Sequence, residues 1–253
     1  MHSHADLAAY CLMLGDDALV MSHRLQEWVT RAPELEDEVA LANIALDLLG
    51  QARLLLGRAA DADGTGRDED AYAFFRPARE FRNVRLAEAG RGDFGELIAR
   101  LLVFSAWRLA LLRRLEGSRD PVLSAVAAKG VKELAYHRDY AAQWLVRLGD
   151  GTAFSRERAQ AGLDAVWPDV GELFTPHDVE RRLAGAGIAA DPAATRAEFD
   201  DVLLTVMRAA GLRLPDADPP AGETGRHGAH TEALDALLAE LQSVARAHPD
   251  ATW

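Results

Sequence analysis

From Val39 to Leu56 this chain is apolar around almost the whole circumference of a helix. Leu41, Ile44, Leu46, Leu48, Leu49, Leu54, Leu55 and Leu56 leave little surface for water. Such a helix normally lies buried in the middle of a helical bundle. Three polar residues interrupt it, Asn43, Asp47 and Gln51. Their i, i+4, i+8 spacing stacks them on one face. A buried Asp must be paired, hydrogen-bonded, protonated or metal-bound, so the fold built around this helix has to supply partners for it.

The rest of the chain is punctuated to match. Alanine and leucine dominate and period-two alternation is absent, which favours helices throughout. Long helices are expected over Asp6–Thr30, Glu34–Ala60, Asp93–Glu116 and from Ser118-Arg-Asp-Pro121 to Leu148. Pro33 with Glu34, Glu36, Asp37 and Glu38 marks the second start, because early carboxylates complement the helix dipole. Gly50 inside that helix implies close helix packing. Loops are expected at Asp61–Arg67 and around Gly90, Gly92 and Gly95. Segments of about 24 to 30 residues extend roughly 36 to 45 Å, the proportions of an antiparallel bundle. The expected fold class is all-α, a ferritin-like four-helix bundle with additional C-terminal helices. One domain would span residues 1–253, with a core over about 6–148 and peripheral helices over about 155–248. Shorter helices are expected at Ser155–Phe174, Pro176–Ala186 and Ala193–Gly211, a loop at Pro215–Gly225, and a last helix from His230 to about His248.

Composition narrows the function classes. The formal net charge of -12 disfavours nucleic acid and anionic lipid as main partners. Cys11 is the lone cysteine, so no internal disulfide or zinc knuckle can form, and a reducing compartment is expected. Cys11 itself has no evident activating neighbour. Met1, His2, His4 and Asp6 do not resemble a signal peptide, and no run of about 18 apolar residues stands out as a membrane span. The expectation is a cytoplasmic protein that does not cross a membrane.

The fourth long helix carries Glu133 and His137, again at i and i+4, and Glu27 on the first is a further candidate for the same interior. Facing carboxylates and histidines inside a helical bundle are how di-iron carboxylate centres are built, with one Glu from each of two helices and Glu-x-x-His from each of the others. Hard carboxylate ligands suit the iron and leave positions open to oxygen. The pattern breaks here. In Asp47-Leu48-Leu49-Gly50-Gln51, Leu48 stands at the Glu position and Gln51 at the His position. Leu134 stands three residues before His137, whereas Glu133 stands four before it and projects about 100° away from the position the motif needs. No carboxylate lies between Glu96 and Glu116. Glu27, Asn43, Asp47, Gln51, Glu133 and His137 therefore read as a degenerate di-iron-like pocket, with no catalytic, cofactor-binding or metal-binding residue assigned. Asn43, Asp47 and Gln51 equally fit a hydrogen-bonded network that fixes helix register. Trp107, Trp144 and Trp167 read as packing.

Several runs resemble a known family. They are Leu14-Gly15-Asp16-Asp17-Ala18-Leu19, Ala32-Pro33-Glu34-Leu35-Glu36, the stretch Leu41 to Arg53, Arg79-Glu80-Phe81-Arg82-Asn83, Lys132 to His137, Arg147 to Thr152, and His230-Thr231-Glu232. Their order and their spread from Ala5 to Trp253 are similar to the C-subunit family of bacterial phenylacetyl-CoA epoxidases, phenylacetic acid catabolic proteins. The resemblance implies a structural, non-catalytic subunit of a multicomponent monooxygenase of aerobic phenylacetate degradation. In that family the catalytic A subunit holds the di-iron centre, a small B subunit joins it, and a reductase supplies FAD and iron–sulfur groups. This chain would hold no cofactor of its own. It would pair with the A subunit, or form a homodimer when isolated. Trp28, Phe104 and Trp107 are expected to place the contact surface on the first and third long helices. The alternative is a freestanding ferritin-like protein with a noncanonical metal or small-ligand site.

Overall fold

The protein is described by a computed structural model covering residues 4–90, 92–215 and 222–251. Met1, His2 and Trp253, and the centre of the expected Pro215–Gly225 loop, lie outside the described residues. The fold is all-α, as the composition and the ferritin-like expectation require, and no strand occurs among the described residues. The helices are α1 (His4–Gln26), α2 (Leu35–Asp63), α3 (Glu69–Phe74), α4 (Phe94–Leu115), α5 (Pro121–Asp150), α6 (Ala153–Val166), α7 (Asp178–Gly185), α8 (Arg196–Ala210), α9 (Glu232–Leu241) and α10 (Ser243–Ala247). The four long ones, α1, α2, α4 and α5, have 23, 29, 22 and 30 residues. The chain divides into two compact units, Met1–Gly90 with Glu223–Trp253, and Arg91–Gly222.

In the first unit α1 and α2 pack as an antiparallel pair. Ser22 Oγ donates to the Ala45 carbonyl at 2.7 Å, and Gly15 lies against Leu55 and Leu56. α1 stops four residues short of the expected Thr30. There Trp28 N–H donates to Leu25 O and Val29 N–H to Gln26 O. Such i→i+3 bonds tighten a frayed helix end, and Pro33 bars continuation. α2 follows its sequence signals. Glu36, Asp37 and Glu38 occupy its first turn, and Gly64 closes it with φ +66°, the left-handed cap that glycine provides at least cost. α3 was not evident from sequence, since six residues are too few to show helical periodicity. Its signal is Asp68, whose carboxylate accepts from Ala71 N–H at 2.8 Å. The last expected helix is two helices. At the break Gln242 is buried, and its amide donates to Ala73 O and Arg76 O, both at 3.0 Å. The stretch expected to be peripheral thus supplies interior residues to this unit.

In the second unit Asp93 caps α4 through Glu96 N–H at 2.9 Å. Asp120 caps α5 through Val122 and Leu123 N–H, with Pro121 in the first turn. These are the positions the sequence marked. Thr152 and Ser155 form a capping box on α6, as polar N-terminal side chains do when they satisfy free N–H groups. Backbones approach closely twice. A Cβ on Gly149 of α5 would sit 2.0 Å from the Ala210 carbonyl oxygen, and one on Gly162 of α6 would sit 2.6 Å from Glu96 N. Phe104 and Trp107 of α4 are buried, so neither belongs to a surface. This corrects their expected place at a contact with another protein: their spacing marked a buried stripe, and periodicity does not say which buried stripe faces a partner.

α2 carries the main departure from expectation. Leu46 is 60% exposed and Leu54 51%, and Leu35 and Val39 are exposed as well, so the helix is not enclosed on all sides. A Cβ on Gly50 would meet nothing within 4 Å, against the close packing expected there. By length and composition alone α2 is also long and apolar enough to cross a membrane, against the expectation that no such span occurs. A core helix meets the same criterion.

Candidate functional site

The six residues of the degenerate pocket divide between the two units. In the first unit the polar row of α2 is graded in depth rather than uniformly buried. Asn43 is exposed, Asp47 half-buried and Gln51 buried. The sequence places Asp47 buried and hydrogen-bonded within the bundle, reaching towards the fourth long helix, whereas here it is half-buried. Its place on the flank of the helix, between the enclosed Leu48 and the open Leu46, explains the difference. Glu27 lies just past the end of α1, in the turn, and its carboxylate accepts from Arg24 Nη1 at 2.6 Å. In the second unit His137 is buried on α5, while Glu133 pairs with Lys129 Nζ at 2.6 Å. Leu134, wholly buried, holds the position three residues before His137 that the Glu-x-x-His spacing requires.

A di-iron centre does not fit these residues. The Glu positions of the two Glu-x-x-His motifs hold Leu48 and Leu134, both wholly buried. Apolar groups at ligand positions supply no lone pair and cannot ionise. Among the described residues no group of three or more His, Cys, Asp or Glu side chains could hold a metal ion.

The polar chemistry of the first unit is concentrated elsewhere, in a network the sequence reading did not find. Asp16 and Asp17 on α1 are fully buried. Asp16 takes a forked pair from Arg76, with Nη1 at 3.0 Å, and accepts from Arg82 N–H at 2.8 Å. Asp17 takes the fork of Arg226, Nη1 at 2.9 Å and Nη2 at 2.8 Å, and accepts from Val84 N–H at 2.8 Å. Arg226 also donates to Met13 O at 3.0 Å and Arg82 O at 2.6 Å. Beside them Glu88, fully buried, accepts from Thr231 N–H at 2.7 Å and from Asn83 Nδ2 at 2.9 Å. Fork-to-fork geometry and backbone donors are what allow buried charges to persist. Three of the runs that carried the family resemblance, around Asp16, Phe81 and His230, thus converge on one buried site. Two adjacent aspartates inside the otherwise apolar stretch from Leu7 to Met21 were the available signal. Their partners were unreadable because they stand far away in sequence.

His230 completes that network and makes it pH-sensitive. Its Nδ1 lies 2.6 Å from Glu88 Oε1 and its Nε2 2.9 Å from Phe81 O. Both neighbours are acceptors, so only the imidazolium, with two N–H groups, satisfies both. Burial pulls the His230 pKa down, but the bonds to Glu88 and Phe81 outweigh it and hold it above the ordinary 6.5. A histidine pKa raised by folding stabilises fully below the unfolded value and loses that contribution as pH climbs through the folded one. The thermal midpoint should therefore fall as pH is raised from 6.5 through the shifted value, and His230→Gln should flatten that part of the profile. Parallel curves for the two proteins would refute this.

The phenylacetic acid catabolic protein family model matches residues 1–253. Among curated proteins, the C subunit of the 1,2-phenylacetyl-CoA epoxidase of Escherichia coli (strain K12) is 44% identical over 247 residues, covering 98% of this chain and 99% of that protein.

Proposed function

The chain belongs to the phenylacetic acid catabolic protein family, and from that premise we propose that it serves as the structural, non-catalytic subunit of a cytoplasmic phenylacetyl-CoA epoxidase. The observation that carries this reading is the 44% identity, sustained across nearly the whole of both chains, to the C subunit of such an epoxidase. Insertion of one oxygen atom into the aromatic ring takes O₂ and two electrons, the second oxygen leaving as water, and it needs a redox centre. The buried Leu48 and Leu134 support placing that centre in a catalytic A subunit rather than in this chain. A small B subunit and a flavin and iron–sulfur reductase complete the proposed assembly.

In that role the chain works by contact. Its charge network holds the segments around Phe81 and Arg226 against α1, which gives a rigid body able to position a partner. The isolated chain should retain no stoichiometric iron or manganese after aerobic purification. Two iron atoms per chain in elemental analysis would contradict the non-catalytic reading. Co-expression with the A subunit should yield a stable heteromeric complex, and omission of this chain should abolish phenylacetyl-CoA oxidation. Full activity of the A subunit alone would overturn the assignment.

A further inference from the structure

α2 is long and rich in leucine, yet its outer side is bare. Leu35, Val39, Leu46 and Leu54 are exposed and recur at spacings that hold one helical face. The row spans about 28 Å at the helical rise. Singly exposed leucines are ordinary, but a contiguous apolar row on one face marks an interaction surface. Gly50 and Gly57 lie along the same side, and a Cβ on either would meet nothing within 4 Å. A second helix could therefore approach the α2 backbone more closely there than side chains normally allow. α2 also lines a cavity of about 260 Å³ within the first unit, where Leu49, Ala52, Leu56, Phe74 and Leu241 form a largely apolar lining.

The electrostatics of that cavity select among occupants. Glu69 and Asp70 line it, next in sequence to Asp68, and Arg53 faces Glu69 at 3.4 Å. Burial, then the neighbouring Asp68 and Glu69, push the Asp70 carboxyl above its usual range. Negative charge is thus in excess there, and an incoming cation would relieve it. A second copy of this chain would bring the same carboxylates and the same net charge of -12, a like-charge juxtaposition that suppresses pairing. A different polypeptide with a basic residue at this point fits better.

Resting on the function proposed above, we propose that the catalytic partner docks on this face of α2, laying an amphipathic helix along Leu35, Val39, Leu46 and Leu54 and setting a basic side chain against Asp68–Asp70. Obligate interfaces cover 2,000 Å² or more and are rich in apolar groups, which a row of this length helps to supply. Asn43, exposed between Val39 and Leu46, offers the contact a polar group at its centre.

The test is a titration of this chain against the catalytic A subunit, with the wild-type pair as reference. Leu46→Glu alters an exposed position and Gly50→Leu one with open space about it, so circular dichroism should stay that of wild type and neither variant should lower the thermal midpoint of the chain. Each should weaken the complex by about 100-fold, the loss typical of a central interface residue. Asp70→Arg should weaken it by about tenfold, and Leu204→Glu, at an exposed leucine of α8, should leave it unchanged. If the wild-type pair does not associate, the proposed function itself fails. If it associates and Leu46→Glu and Gly50→Leu bind as tightly as wild type, the docking face lies elsewhere. An unaltered affinity for Asp70→Arg would remove the basic contact. A homodimer that Leu46→Glu dissociates while the complex with the A subunit survives would give the face to a second copy and overturn the proposal.

Discussion

Asp17→Ala is expected to lower the stability of the first unit by about 3–5 kcal/mol, the usual cost of stranding one member of a buried ion pair. The loss would arise from what remains more than from what is removed. Arg226 would keep its guanidinium in the interior, 4% exposed at the side chain, with the carboxylate that takes its fork gone. Val84 N–H would lose its acceptor too. Against a total stability of about 5–15 kcal/mol for a typical protein, such a loss should bring the denaturant midpoint down by a large fraction. Arg226→Ala should have a similar effect, and the double variant should cost less than the sum of the two, because it strands neither member of the pair. The exposed pair Arg181–Asp178 is the contrast, where Arg181→Ala should leave the midpoint within error. A midpoint for Asp17→Ala equal to that of wild type would show that the network is not holding the unit together.

Gly149→Ala is the second large effect. The added Cβ would overlap the Ala210 carbonyl oxygen at 2.0 Å, and that oxygen is backbone at the end of α8. It cannot swing aside as a side chain would, so α5 and α8 must separate or bend. Overpacking of this kind costs about 1–3 kcal/mol and sometimes more. Gly50→Ala provides the opposite sign from the same chemistry. Its new methyl group meets nothing in the chain, so the gain in helix propensity, about 1 kcal/mol, should raise the thermal midpoint of the isolated protein. Gly15→Ala should fall between them, because the atom it meets at 2.9 Å is Leu56 Cδ2, the movable end of a side chain. The three midpoints should rank Gly50→Ala above Gly15→Ala above Gly149→Ala. Any other order would mean that the close approach of α5 and α8 is not rigid.

By itself the sequence determined the helices and most of their ends. Asp93, Asp120 with Pro121, and the Glu36–Glu38 turn act on N–H groups within a few residues of themselves, so their effect is legible locally. The broken ligand pattern was legible in the same way, because the Glu-x-x-His spacing concerns one helix at a time, and Leu48 and Leu134 interrupt it wherever the helices come to rest. The resemblance carried by runs spread along the chain pointed to the family. What needed the tertiary structure was everything that depends on which face meets which. Asp16 and Asp17 find arginines 60 and 209 residues away, and no local pattern pairs residues across such distances. The same limit explains the misjudged α2. Periodicity tells which residues share a helical face but not what lies over that face. Leu46 and Leu48 are therefore chemically identical in the sequence, whereas in the fold one is open to solvent and the other enclosed.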